Sequence, residues 1–259
     1  MTGSTDRAGA HVVGAYIDAV DCGDCLNRIF EWAERRESRY ICLCNAHSVV
    51  TARRDPGFGR TLNEADLAVP DGAPVAWRLG ALGYPGQPRV SGSELMWKCC
   101  ARAAGSGVSV FLYGSRPETL RRLSARLIRE YPRLKIAGCY SPPFRDLTSA
   151  EDAQVVDAIN DSGAGIVFVS LGCPKQETWM AGHRGRIRAA MVGVGAAFEF
   201  HAGTAKRAPR WMQDLGLEWL HRLASEPQRL WRRYFVTNTL FLAFLLAESL
   251  GVRRGTGKR

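Results

Sequence analysis

A carboxylate follows a short apolar run near residue 70, where the sequence reads Pro-Asp-Gly. The run before it, residues 67–69, has the composition of a brief strand, so Asp71 would stand where that strand ends. An Asp-Gly pair often marks only a turn. At the carboxyl end of a strand, however, an aspartate can act as a general base toward a bound substrate. Asp71 is therefore a candidate catalytic residue.

A second polar loop, residues 172–177, follows the strongest predicted strand, residues 165–171. A helix is predicted to begin near Glu177, which puts Lys175 and Gln176 beside its N-terminus. Backbone N–H groups and the helix dipole favour anions at such a position. The loop therefore resembles a phosphate or diphosphate cradle, although a plain strand-to-helix turn is the alternative.

Other polar positions also follow predicted strands. Gly114 ends the apolar run 108–113 and is a candidate substrate-binding position. Glu199 stands between two phenylalanines and could be a second carboxylate of the site or, slightly favoured, a buried partner of a C-terminal arginine. Either His47 or His201 could contact substrate, although an isolated loop histidine is more often a surface or packing residue.

Several cofactor motifs are absent from the sequence. Residues 193–198 begin like the dinucleotide-binding glycine fingerprint but lack its third glycine, and the acidic residue expected for ribose binding is missing. There is no P-loop, no GxSxG nucleophile elbow and no Asp-x-Asp pattern. Cys22 and Cys25 have Cys-x-x-Cys spacing but no second ligand pair to complete a zinc site. We therefore predict no metal and no organic cofactor.

The elements that must position these loops alternate between short apolar runs and helical stretches. Strands are predicted at residues 12–20, 40–44, 67–69, 108–113, 134–137, 165–171 and 187–194. Helices are predicted at residues 23–36, 48–64 (interrupted near Pro56), 92–104, 117–131 and 149–160. This alternation predicts an α/β fold with a parallel sheet covered by helices on both faces. Ligands bind beyond the carboxyl ends of the strands in such sheets, so the polar loops should lie along one edge.

Positive charge is concentrated at the end of the chain. The net charge is +10, and residues 202–259 hold eleven Lys and Arg against four acidic residues, which is seven of the ten charges. We predict a body over residues 1–201 and a basic helical appendage over residues 202–259. Such a segment implies an anionic partner, either a membrane surface, a nucleic acid or a phosphorylated substrate.

Within the appendage, residues 235–250 form an apolar block of sixteen residues, too short for a comfortable membrane span. Arginines flank it and aromatic residues precede it, as in helices that lie at a membrane interface. A helix packed on the body is the alternative. Nucleic acid is disfavoured, because dense Leu and Phe have no use on a phosphate backbone. The first 14 residues lack the apolar region of a secretory signal, so we expect a cytoplasmic protein.

Taken in order, the polar motifs resemble those of the WecG/TagA/CpsF family, glycosyltransferase family 26. They lie at residues 45–47, 65–72, 89–92, 111–114, 172–177, 194–198, 206–209, 217–222 and 226–229. The resemblance implies a Rossmann-like, metal-independent, inverting transferase. It would move a hexose or N-acetylhexosamine from a UDP-sugar to a polyprenyl-diphosphate-linked sugar, peripherally at the inner face of the cell membrane. Its products would serve exopolysaccharide, common-antigen or teichoic acid synthesis.

The resemblance also implies roles for individual residues. By motif match, Asp71 is the base, Arg89 and Gln176 are further active-site residues, and Asn45 belongs to the donor pocket. The appendage residues that should meet the acceptor diphosphate are Arg222, Arg229 and Arg232.

One departure from the family pattern affects the donor pocket. Leu43 and Cys44 stand where some members have Thr-Pro, so a hydroxyl contact to the donor sugar is lost and no particular sugar is predicted. Two other classes of function remain as alternatives. A nucleotide-binding oxidoreductase would explain the sheet but not the incomplete glycine fingerprint, and a non-enzymatic membrane-surface adaptor would explain the tail but not the polar loops. A homo-oligomer is compatible with the sequence.

Overall fold

The structure is a computed structural model that describes residues 7–250, apart from the side chains of Asp214 and Arg229. Its strands are β1 (Gly9–Val12), β2 (Ala15–Asp18), β3 (Arg39–Cys44), β4 (Leu67–Pro70), β5 (Val110–Gly114), β6 (Ile136–Tyr140), β7 (Ile166–Ser170) and β8 (Ala190–Gly193). Strands β3 to β8 form a six-stranded parallel sheet in the order β4-β3-β8-β7-β5-β6. The predicted α/β, Rossmann-like architecture is confirmed.

Helices flank this sheet on both faces. They are α1 (Cys22–Glu34), α2 (Ala46–Arg54), α3 (Pro56–Asn63), α4 (Ala73–Ala81), α5 (Gly92–Ser106), α6 (Pro117–Glu130), α7 (Ser149–Asp161), α8 (Lys175–Gly182), α9 (Ala197–Ala202), α10 (Arg210–Asp214), α11 (Glu218–Ser225) and α12 (Pro227–Ser249). Successive strand residues point to opposite faces, so Tyr40 and Cys42 join one core while Ile41 and Leu43 join the other. Burial on both faces explains why these strands are continuously apolar.

The prediction of a single strand at residues 12–20 is wrong. The chain there makes an antiparallel hairpin of β1 and β2, outside the six-stranded sheet. Val13 and Gly14 at its turn both have positive φ, 54° and 86°, which matches the twist of a two-residue hairpin turn. The buried Asp18 accepts a hydrogen bond from the Ala68 N–H at 2.7 Å and so ties this hairpin to β4.

The last helices return the chain to the body. Helix α12 packs against α2, where its Phe241 side chain is buried, and Leu230 near its start is buried as well. The turn at Glu226 separates α11 from α12, where Pro227 begins a new helix. Between residues 7 and 250, no helix combines the length and apolarity needed to cross a membrane.

Candidate active site

The carboxyl ends of the central strands open into a cleft of about 1630 Å³. This volume exceeds that of an ordinary small-molecule pocket, which is about 300–1,000 Å³. Six residues predicted for the site line the cleft, although they come from five separate parts of the chain: Asn45, Asp71, Arg89, Lys175, Gln176 and Arg222.

Asp71 stands directly after β4, and its backbone N–H donates to the Cys44 carbonyl at 2.9 Å. Burial raises the pKa of its carboxyl group to about 6, and the negative charge of Glu218 adds to that rise. Arg89, a hydrogen bond from Asn45, and Arg222 act in the opposite direction. A carboxylate with this pKa is largely ionised at neutral pH and is still basic enough to accept a proton.

Asn45 reaches Asp71 because β3 and β4 are neighbouring parallel strands, with Cys44 paired to Pro70. Its side chain also forms the N-cap of α2, since Oδ1 accepts hydrogen bonds from the backbone N–H groups of His47 at 3.0 Å and Ser48 at 3.2 Å. The cap fixes the position of this side chain, which acts to lower the pKa of the Asp71 carboxyl group.

Arg89 precedes α5, where the Val90 N–H donates to the Pro70 carbonyl at 2.8 Å and holds this segment beside β4. Its Nη1 lies 3.1 Å from Oε2 of Glu218, the first residue of α11. Glu218 is not among the site residues predicted from the sequence. The available signal was that it is one of four acidic residues among the eleven basic ones of residues 202–259.

The N-terminus of α8 forms another wall of the cleft. The helix begins at Lys175, close to the expected position, and Lys175 itself is exposed with Nζ 3.8 Å from Asp146. Gln176 is buried and donates from Nε2 to Glu177 Oε1 at 2.9 Å. Its Oε1 is buried without a hydrogen-bond partner in the described part of the chain. Burial raises the pKa of Glu177.

The incomplete glycine fingerprint has a steric explanation here. A Cβ added at Gly193 would lie 2.7 Å from Met180 Cε and 3.2 Å from Gln176 Nε2. Gly195 has φ of +53° and lies against the same glutamine. These glycines therefore leave room for the side chains of α8 at the end of β8.

Gly114 does not itself line the cleft. Its φ is +114°, and a Cβ there would lie 2.3 Å from the Ser170 carbonyl oxygen, so the close approach of β5 and β7 requires glycine. The next residue, Ser115, does line the cleft and donates from Oγ to Glu199 Oε1 at 2.7 Å. Glu199 also lines the cleft, and among the described side chains its carboxylate accepts from this serine and not from a C-terminal arginine, the partner that the sequence slightly favoured.

The predicted appendage arginines lie in different surroundings. Arg222 lines the cleft, with its guanidinium 5.7 Å from the centre of the Phe200 ring. The side chain of Arg229 lies outside the described residues. Arg232 is exposed and is not part of the cleft wall, whereas its neighbour Arg233 is.

Both candidate histidines make packing contacts. His47 Nδ1 lies 3.3 Å from Thr237 Oγ1 of α12, and burial lowers the pKa of His47 to about 4. His201 stacks on Trp97 and lies 3.0 Å from Ser93 Oγ. In residues 7–250, no three His, Cys, Asp or Glu side chains are grouped as metal ligands.

Comparison with known proteins agrees with the resemblance. The model of the family described as "Glycosyl transferase WecG/TagA/CpsF family" matches residues 10–255. A relative from Bacillus spizizenii is 30% identical over 203 residues, which cover 78% of this chain and 77% of the relative. It is named N-acetylglucosaminyldiphosphoundecaprenol N-acetyl-beta-D-mannosaminyltransferase. These matches favour a glycosyltransferase over the oxidoreductase and the membrane adaptor. The chain belongs to the WecG/TagA/CpsF family of glycosyltransferases.

Proposed function

We propose that this glycosyltransferase moves a hexose or N-acetylhexosamine from a UDP-sugar to a polyprenyl-diphosphate-linked sugar, with inversion and without a metal ion. The main support is the surroundings of Asp71, a carboxyl group with pKa about 6 in a cleft that also contains Arg89 and Arg222. A second support is the volume of the cleft, about 1630 Å³, which can accommodate two substrates together.

In this mechanism Asp71 is the general base. An acceptor hydroxyl attacks the anomeric carbon of the donor from the face opposite UDP, while its proton passes to the Asp71 carboxylate. The new bond joins the acceptor oxygen to the anomeric carbon, and the bond from that carbon to the β-phosphate oxygen breaks. A single displacement of this kind inverts the anomeric configuration and needs only one carboxylate.

The departing UDP accumulates negative charge, which arginine can stabilise in place of a metal. Arg89 and Arg222 line the cleft beside Asp71, and the N-terminus of α8 with Lys175 lies on another wall. The guanidinium group of Arg89 has five N–H donors, so its contact with Glu218 leaves others for a diphosphate. We propose that Gln176, through its unpartnered Oε1, contacts the donor.

The acceptor is proposed to be lipid-linked, as the name of the Bacillus relative states for that protein. The outer side of α12 supports a membrane location. Trp231, Phe235 and Leu246 are exposed there and do not line the cleft. They are spaced by four and eleven residues, which aligns them along one helix face. Apolar and aromatic side chains on such a face insert into the membrane interface. The exposed Arg232 would then meet a diphosphate at the surface of the bilayer.

The test is transfer from radiolabelled UDP-sugars to a synthetic polyprenyl-diphosphate N-acetylglucosamine in vesicles, with the anomeric configuration of the product read by NMR. We expect one UDP-sugar to be used, in the presence of excess EDTA, with inversion. Asp71→Asn is the inactive comparison. Retention of configuration, a need for added magnesium or manganese, or transfer only from another nucleotide-sugar would each contradict the corresponding part of the proposal.

A further inference from the structure

Glu218 brings a negative charge from α11 into the active-site cleft. Its Oε2 lies 3.1 Å from Arg89 Nη1 and its Oε1 lies 3.8 Å from Arg207 Nε. Arg207 in turn donates from Nη2 to Ser91 Oγ at 3.1 Å, at the start of α5. The carboxylate therefore connects the first residue of α11 to Arg89, which precedes α5, and to Arg207, which follows α9.

Three elements place charged or polar groups around Asp71. The segment before α5 provides Arg89, the cap of α2 provides Asn45, and α11 provides both Arg222 and Glu218. Arg89, Asn45 and Arg222 favour the ionised carboxylate, whereas burial and the charge of Glu218 disfavour it. Around Glu218 itself lie Arg89, Arg207 and the Tyr234 hydroxyl of α12.

We propose that Glu218 is a positioning residue of the transferase: docked on the cleft, it holds Arg89 away from direct pairing with Asp71, so that Asp71 stays free to accept a proton. This inference rests on the proposed function, in which Asp71 is the base and Arg89 stabilises the departing UDP. It adds that the appendage contributes an acidic side chain to the site as well as arginines.

Two carboxylates, those of Asp71 and Glu218, compete for the guanidinium group of Arg89. Arg89 is attracted to Asp71, and an arginine–carboxylate pair is strong when its geometry is bidentate. If Arg89 paired with Asp71, the carboxylate would become a weaker base and the arginine would be turned from the donor diphosphate. A second carboxylate in contact with Arg89 prevents this pairing. Glu218 is that carboxylate. The side chains of Glu218 and Arg89 are only 23% and 21% exposed, so solvent screens their attraction weakly.

The test compares Glu218→Gln with the unaltered protein by two measurements. The first is the pKa of Asp71, read from ¹³Cγ-aspartate NMR and assigned through the signal that Asp71→Asn removes. The second is the pH profile of kcat/KM for sugar transfer. We expect Glu218→Gln to lower the pKa of Asp71 by about one unit, as loss of a nearby like charge does. The acidic limb of the profile should move to lower pH by the same amount. Transfer at pH 7.5, where Asp71 is ionised in both proteins, should fall about tenfold because Arg89 turns from the donor diphosphate toward Asp71.

Glu248→Gln is the matched control. Glu248 lies on α12 and its Oε2 is 3.4 Å from Arg78 Nη2, so it also links a C-terminal helix to the body. It is not among the charges that act on Asp71, and neither measurement should change. Limited trypsin digestion of both folded variants reports whether α11 and α12 remain docked.

A shifted pKa of Asp71 with unchanged digestion supports the inference. An unshifted pKa, or a shift that appears only together with faster digestion, overturns it, because Glu218 would then serve only to dock α11. The NMR titration needs no transfer activity. Failure of the unaltered protein to transfer any sugar therefore counts against the proposed function, whereas the titration decides the role of Glu218 separately.

Discussion

Asn45 and Asp71 follow adjacent parallel strands and both line the cleft, where the Asn45 side chain acts to lower the pKa of the Asp71 carboxyl group. The same amide group caps α2 through its Oδ1, so the residue that acts on the candidate base is itself fixed by the start of a helix. Sequence separation is 26 residues, but the register of β3 with β4 makes the two side chains neighbours. The geometry of the base is therefore set by strand pairing and by a helix cap, both of which form with the fold.

The first prediction concerns the base itself. We expect Asp71→Asn to retain the fold and UDP binding but to lower kcat by about a hundredfold or more, the usual size of a general-base contribution. Transfer kinetics and UDP titration calorimetry measure the two effects. Asp161→Asn, at the exposed end of α7, is the control and should behave like the unaltered protein. Turnover within a few fold of normal in Asp71→Asn would exclude Asp71 as the base.

A second prediction links pH to both activity and stability. Because the folded-state pKa of Asp71 is about 6, kcat/KM should rise as pH increases through about 6 and then level off. The unfolded chain ionises this group at lower pH, so ionisation in the folded state costs stability as pH rises from about 4 to 6. Asp71→Asn should therefore raise Tm at pH 8 and leave it nearly unchanged at pH 4. Equal effects at the two pH values would contradict the raised pKa.

Much of the fold and part of the site could be predicted from the sequence. Continuous apolar strands such as residues 166–170 predict a parallel sheet, and such a sheet brings its strand ends to one edge. Asp71 and Lys175 were therefore found from their positions after strands. The contact of Arg89 with Glu218 could not be found in this way, because it joins residues 129 positions apart through the docking of α11.

The apolar block at residues 235–250 shows another limit of sequence reasoning. The block is apolar on most of its surface, so composition does not separate a membrane-facing side from a packed side. The packing of α12 against α2 distinguishes the two sides of the helix, because Phe241 is buried while Phe235 and Leu242 are exposed. The hairpin at residues 9–18 was not predicted for a different reason: its Val-Gly turn lacks the Asn-Gly signal that usually marks a two-residue hairpin.

A third prediction separates the roles of two arginines. Arg222 lines the cleft, so Arg222→Gln should lower kcat/KM about tenfold or more with either a water-soluble or a membrane-bound acceptor. Arg232 is exposed beside the apolar face of α12, so Arg232→Gln should lower transfer only when the acceptor is in vesicles. Both acceptors are assayed with each variant. The same acceptor dependence for the two variants would show that the proposed division is wrong.

A fourth prediction concerns Gly114, whose role in the structure is steric. A Cβ at this position would lie 2.3 Å from the Ser170 carbonyl oxygen, and φ is +114°. We expect Gly114→Ala to destabilise the fold by about 2 kcal/mol or more, which corresponds to roughly 5 °C in Tm for a chain of this size. Gly80→Ala, in α4 with open space around the new methyl group, should be neutral or slightly stabilising. Thermal unfolding followed by circular dichroism compares the two, and an unchanged Tm for Gly114→Ala would refute the steric argument.

The last prediction concerns the outer face of α12. Phe235 and Leu246 are 69% and 65% exposed, and they lie on a different side of the helix from the buried Phe241. Replacing both with serine leaves the packed side intact and should reduce binding to vesicles that contain anionic lipid by about tenfold or more, because apolar insertion is lost. The basic residues still attract the surface, so the residual binding should disappear in high salt, whereas the unaltered protein should be released only in part. Ile128→Ser changes a comparably exposed apolar residue on α6 (51%) and should leave vesicle binding unchanged. Flotation of each variant with vesicles gives the bound fraction. If the Phe235/Leu246 variant floats as fully as Ile128→Ser, this face of α12 does not contact the membrane.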